Sequence, residues 1–262
     1  MKIAAPVATA ALLMLTAAWP AQAGETACWI DKGAVVVPAV VAGVPGDYIL
    51  DTGSPHSQLH ETRAQGAGIA ETALSADVRL AGLAFSRRPV AVVDLDARTL
   101  GFPTAIAGVI GADLLDGLVL DLRMAPCRVG LYRPREAPSF GRGRSWRLAR
   151  VDGLPAAHAT ATDGVRAATG DFVIATGLGQ AVALDAGFVA ARPARGYGRL
   201  RALSFAEDLQ EHPGIAVTTV GPQTALGAPA LLAYRVRIDL ARDRLRLAPA
   251  QEKGPPDRSG RP

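Results

Sequence analysis

Asp51 is the residue best placed to do chemistry. It ends an apolar run, Asp47-Tyr-Ile-Leu-Asp-Thr-Gly53, and Ser54 follows it. A carboxylate fixed at the end of a buried strand can take a proton from a bound water and so act as a general base. The same string returns at residues 171–177 as Asp171-Phe-Val-Ile-Ala-Thr-Gly177. Thr52 and Gly53 have counterparts there in Thr176 and Gly177. Asp51 has none, because Ala175 stands at its position and can hold no proton.

The elements that must position Asp51 read as short strands. Residues 34–41 are β-rich, and Pro38 assigns them to a sheet edge. Residues 43–46 (Gly-Val-Pro-Gly) read as a turn, and 48–50 as a short buried strand. Residues 78–85 and 89–94 look like the arms of a hairpin that could serve as a flap. Residues 107–110 are apolar, and Gly111 then leads into a short helix that Asp113 or Asp116 would cap. Residues 118–122 and 128–132 close the first half as a hairpin.

The second half keeps this order. Leu226-Gly227 follows the second turn as Ile110-Gly111 follows the first, and Asp239 follows at nearly the interval of Asp121. Three landmarks in one order point to an internal duplication rather than chance likeness of apolar strings. The expected organisation is a first lobe over 24–133, a linker over 134–145 and a second, degenerate lobe over 146–250. A Pro/Gly/charge-rich tail, 251–262, is expected to be disordered.

Residues 1–23 read as a signal peptide: Lys2, an apolar stretch over 4–18 and Ala21-Gln-Ala23 before the cleavage point. The apolar stretch is shorter than the roughly 20 residues a membrane span needs. The expectation is an exported protein, periplasmic or secreted, with no membrane anchor after cleavage. In that compartment Cys28 and Cys127, the sole cysteines, are a disulfide candidate.

Composition excludes several classes. Hydrophobic residues at 49% allow a real core, but aromatics at 5% mean that Ala, Val, Leu and Ile must build it. Glycine (28) and proline (19) are spread along the chain and favour turns over long helices. The net charge of +4 comes with scattered arginines. Their densest run, Arg142, Arg144, Arg147 and Arg150, reads as a solvated linker, and no basic face suited to nucleic acid is evident. His56 and His60, followed by Glu61, could form half a metal site on a helix, but read better as rim residues of a loop opened by Pro55. No metal and no cofactor is expected. Gly177-Leu-Gly179 lacks the third glycine of a dinucleotide loop, since Val182 stands there. No Gly-x-Ser-x-Gly elbow supports a serine hydrolase. Asp121 and Asp239 look structural.

The Asp51-Thr-Gly-Ser54 turn, with Gly108-Val-Ile-Gly-Ala-Asp-Leu-Leu115 about 60 residues on, resembles the retropepsin-like aspartic peptidases. The likeness is good over 34–132 and survives over 146–248 as a degenerate copy. It implies an all-β fold of two lobes facing across a cleft, with short helices. It makes Asp51 the catalytic carboxylate, supported by Thr52, Gly53, Ser54, Thr176 and Gly177. The pairs Ile110-Gly111 and Leu226-Gly227 would pack beneath the turns.

Peptidases of this family use two close carboxylates that share one proton. One activates water and the other polarises the scissile carbonyl. With Ala175 in the second place, three readings stay open. Two chains could pair through their first lobes and join two copies of Asp51, as a homodimer. Asp51 could work alone as an aspartic endopeptidase acting on a peptide or protein substrate. Or the cleft could bind a peptide or protein partner without cutting it.

Overall fold

The computed structural model describes residues 24–185, 197–218 and 224–250. The expected signal peptide and tail lie outside these residues. The first half contains β1 (Glu25–Ala27), β2 (Trp29–Asp31), β3 (Ala34–Val41), β4 (Val44–Leu50), β5 (Gln58–His60), α1 (Glu61–Gly66), β6 (Ala73–Leu80) and β7 (Leu83–Val93). It continues with α2 (Asp96–Thr99), β8 (Ile106–Ile110), α3 (Ala112–Leu115), β9 (Val119–Met124) and β10 (Cys127–Tyr132). The second half opens with β11 (Arg144–Arg147), β12 (Ala149–Val151), β13 (Leu154–Thr162), β14 (Ala167–Ala175), β15 (Val182–Asp185) and β16 (Tyr197–Arg199). It ends with β17 (Ala202–Phe205), β18 (Asp208–Glu211), β19 (Gly214–Thr218), β20 (Ala225–Gly227), α4 (Ala228–Leu231), β21 (Tyr234–Asp239) and β22 (Arg244–Pro249).

The fold is all-β, two lobes with short helices. One sheet of seven strands, in the order β2-β3-β4-β8-β5-β7-β6, belongs to the first half. A second sheet, centred on β15-β20-β14-β13, belongs to the second half. The third, β1-β10-β9-β21-β22-β11, takes strands from both halves and joins them through β9 and β21. The two halves also match in local topology. β3 and β4 form a hairpin and β4 runs parallel to β8, just as β13 and β14 form a hairpin and β14 runs parallel to β20.

The core is aliphatic, as the low aromatic content requires. Val35, Val37, Leu50, Leu59, Ile110, Leu114, Leu120, Ile174, Leu226 and Ile238 are buried in it. Within β3 the alternation is suppressed: Ala34 to Val37 are all buried, because both faces of that strand are covered. Pro38 does not mark an edge. On one flank of β3, residues 34–36 pair with β2 and residues 39–41 with β6. Pro38 sits in the gap between those partners, where a missing N–H costs no ladder bond on that flank.

Two turns differ from expectation for one reason. The β3–β4 connection is Ala42-Gly43, not residues 43–46, and the β6–β7 connection is Ala81-Gly82, inside what reads as a single strand. Ala42 and Ala81 have φ near +50° and the glycines after them φ near +77°. Two successive left-handed residues form the tight hairpin turn that matches strand twist. Alanine carries no signal for that conformation, so sequence reading places the turn elsewhere.

The stretch expected as a solvated linker is mostly exposed, but Phe140 anchors it. β11 begins at Arg144, inside it. Phe140 is buried, with the guanidinium groups of Arg235, Arg237 and Arg246 within 4.6–5.1 Å of its ring centre. Arg144 pairs with Glu207. Arg150 pairs with Asp243 and donates to the carbonyls of Gly153 and Leu240.

Cys28 and Cys127 form a disulfide across 99 residues, beside the β1–β10 pairing. Closing a loop of that size is worth about 4–5 kcal/mol in the chain-entropy model. Cys28→Ala with Cys127→Ala should lower the urea midpoint accordingly. An unchanged midpoint would show that the strand pairing alone holds this corner.

Candidate functional site

The two apolar strands β4 and β14 end side by side, and their turns interlock. The Thr52 N–H donates to Thr176 Oγ1 at 3.1 Å. Thr176 Oγ1 donates to the Leu50 carbonyl at 2.6 Å, and Thr52 Oγ1 donates in return to the Ile174 carbonyl. Each threonine thus grips the residue that precedes the opposite acid position. Both are fully buried.

The glycines make this approach feasible. A Cβ on Gly177 would lie 2.6 Å from Asp51 Cβ, and one on Gly53 would collide with the Ala175 methyl. The packing is reciprocal, so Ala175 occupies in the second turn the place that Asp51 occupies in the first. Ala175 is 5% exposed. The face of the Asp51 turn that a second copy would need is filled by Thr176 and Gly177 of the same chain.

Beneath the turns sit the expected pairs. Leu50 lies opposite Ile110, and the Asp51 N–H donates to the Ile110 carbonyl at 2.9 Å. Gly111 lies so close to the backbone of Ser54 and His56 that a Cβ would fall 2.5 Å from the His56 carbonyl carbon. Ile174 lies opposite Leu226, and a Cβ on Gly227 would lie 2.6 Å from the Leu178 carbonyl oxygen. Gly111 and Gly227 also start α3 and α4. Asp113 does not cap α3 from its N-cap position. It accepts the Ser57 N–H at 3.0 Å and the Ser57 hydroxyl at 2.7 Å, and Ser57 in turn receives the Gly111 N–H. It therefore braces the chain just after Asp51. Asp116 pairs with Arg150 at the surface.

Asp51 itself is 6% exposed. Its Oδ1 accepts two backbone N–H groups, Gly53 at 2.9 Å and Gly177 at 3.1 Å, one from each turn. Its Oδ2 is held by Arg98 Nη2 in an ion pair. Arg98 Nη1 donates to Ser54 Oγ at 3.0 Å. One guanidinium therefore spans the acid and the serine of the Asp-Thr-Gly-Ser turn. Charge-assisted pairs of this kind are among the stronger hydrogen bonds.

Arg98 is the functional residue that sequence reading misses. It comes from α2, between β7 and β8, in a stretch with no motif or period. His60 helps to hold that stretch. It is buried, not a rim residue, and its Nε2 meets Asp96 at 3.1 Å. Its Nδ1 accepts the Thr62 N–H at 3.4 Å at the start of α1. His56 is exposed and is not among the groups gathered around His60.

His60, Asp94 and Asp96 bring possible metal-ligand atoms within 4.8 Å of one another. The imidazole does not fit that use. Both of its nitrogens are already engaged, Nδ1 by the Thr62 N–H and Nε2 by Asp96. Asp94 already accepts the Asp96 N–H at 2.8 Å.

No protein-family model matches the sequence, and no curated protein matches it. Among solved structures, the aspartic proteinase from Irpex lacteus is similar, with a TM-score of 0.55 and 13% identity. The match covers 86% of this chain and 97% of that one. At this identity the likeness is one of fold: the two-lobed, pepsin-like architecture of aspartic proteinases. Among the described residues, no helix is long and apolar enough to cross a membrane.

Proposed function

We propose that this protein uses an aspartic-proteinase fold to bind peptides in the cleft between its lobes without hydrolysing them. One observation carries this reading: the Asp51 carboxylate faces Ala175 instead of a second acid, and Arg98 takes its outer oxygen. Water activation by a carboxylate pair needs one ionised and one protonated partner. Ala175 supplies neither, and the guanidinium occupies the oxygen that a reacting water would use. A dyad assembled from two copies forms no part of this reading, because the chain's own second turn already fills the face. We assign the likeness between the halves to internal duplication, supported by their matched β3-β4-β8 and β13-β14-β20 topology. Export, to the periplasm or beyond, is supported by the Cys28–Cys127 disulfide, a bond favoured in oxidising compartments.

A second reading keeps hydrolysis. The cradle of Asp51 is intact, with both backbone donors on Oδ1 and both threonine grips in place. On that reading Asp51 is the catalytic base of an aspartic-type endopeptidase within the narrower retropepsin-like group.

Peptide libraries, offered from acid to neutral pH to residues 24–262, separate the two. Retention of peptides on the protein with no new termini by mass spectrometry is the expected result. Cleavage that disappears in Asp51→Asn would establish the hydrolase instead.

A further inference from the structure

The chain between β7 and β8 is pinned by apolar packing at two points and held by polar ties alone between them. Leu95 is buried, and Phe102 packs with it beside Ala34, Ile49 and Ile106. Between these anchors α2 buries no residue, its N-cap Leu95 makes no side-chain cap bond, and Leu100 is 77% exposed. Polar ties hold the span down: Asp96 to His60, the Lys32 ammonium to the Leu100 carbonyl at 2.7 Å, and Arg98 to Asp51 and Ser54. Segments with few buried apolar contacts open at low cost compared with the core.

The chemistry at the end of this span is specific. Asp51 is nearly buried, and its Oδ1 is satisfied by backbone that cannot leave without parting the two turns. Its Oδ2 has Arg98, whose side chain is 32% exposed and so within reach of solvent. Removing one member of a buried ion pair strands the other charge. A neutral occupant that lifted Arg98 away would leave the carboxylate uncompensated. An occupant that brings its own cation would not.

We propose that the cleft selects peptides carrying a basic side chain, whose guanidinium or ammonium group replaces Arg98 at Asp51, and that the α2 span is the built-in stand-in for that group. The proposal rests on the peptide-binding reading and adds to it a ligand class and a means of control. Arg98 already displays the geometry that the site accepts: a planar cation bridging Asp51 Oδ2 and Ser54 Oγ. A free site would be in competition with the span, so wild-type affinity is reduced by the fraction of time Arg98 is docked.

The test uses residues 24–262, the acetylated and amidated pentapeptide Ala-Ala-Arg-Ala-Ala, and its citrulline analogue, which has the same shape without the charge. Binding is followed by calorimetry. Arg98→Gln should bind the arginine peptide about 10-fold or more tightly than wild type does, since internal competition is gone. The citrulline peptide should gain little. Asp51→Asn should abolish the preference between the two peptides. Arg98→Lys covers the case in which Arg98→Gln does not fold. Its ammonium keeps a counter-charge but cannot bridge both partners, so a smaller gain with the same preference is expected. An equal gain for both peptides would reduce the span to a steric obstacle and overturn the ionic exchange, as would no gain in either folded variant. If library peptides bind but arginine is not preferred, this inference alone fails. If no peptide binds at all, the peptide-binding reading fails with it.

Discussion

Ala175→Asp combined with Arg98→Ala is expected to create acid-dependent peptide cleavage that the wild type, on the peptide-binding reading, lacks. The reciprocal packing of Gly53 on Ala175 and Gly177 on Asp51 places the new carboxylate across from Asp51, in matching surroundings. Two carboxylates held that close share one proton, which restores one base and one acid. Positioned acid–base groups contribute roughly 10²–10⁴-fold each, so the gain should stand clear of background in a mass-spectrometric assay. Ala175→Asp alone should remain inert, because Arg98 would still hold the outer oxygen of Asp51. If the single variant cleaves as well as the double one, Arg98 is no obstacle to the chemistry. If both fold and neither cleaves, the cleft has lost its reacting geometry as well as its acid.

The Asp51 turn, its degenerate partner and the glycines beneath them are legible in the sequence because each is demanded locally. A turn that two strands must share needs Gly53 and Gly177, and no other residue leaves the facing chain room. The disulfide is legible because two cysteines in a chain expected to be exported have few options. Arg98 is not legible. It is 47 residues from Asp51, on a span whose course is set by the burial of Leu95 and Phe102 and not by any spacing. His60 shows the same limit: its i, i+4 spacing points to His56, while its actual partner, Asp96, lies across a parallel strand pairing. Pro38 shows how a sound local rule is overridden, since one strand changes partners along its length and hides the missing donor in the gap. Local residue type reveals what a turn requires; it does not reveal which loop returns over that turn.

Asp121→Ala should be the most destabilising single change outside the apolar core. Asp121 on β9 lies directly opposite Arg237 on β21, so the pair joins the first half of the chain to the second. Both residues are buried, with Arg237 Nε 2.5 Å from one carboxylate oxygen and Nη2 2.7 Å from the other. Arg235 adds a longer contact at 3.6 Å. Removing the acid leaves the Arg237 guanidinium with the Pro138 carbonyl and the Phe140 ring, neither of which carries a compensating charge. Breaking a buried pair from one side costs about 3–5 kcal/mol. In a chain of this size that corresponds to a melting temperature lower by roughly 6–20 °C. Asp121→Leu with Arg237→Met should recover most of the loss, because apolar residues in place of both charges leave nothing stranded. Urea unfolding with an unchanged slope would confirm that the native state alone is affected. A loss below about 1 kcal/mol, the range of exposed pairs, would mean that water reaches this seam, and that the two halves are joined by strand pairing and not by the ion pair.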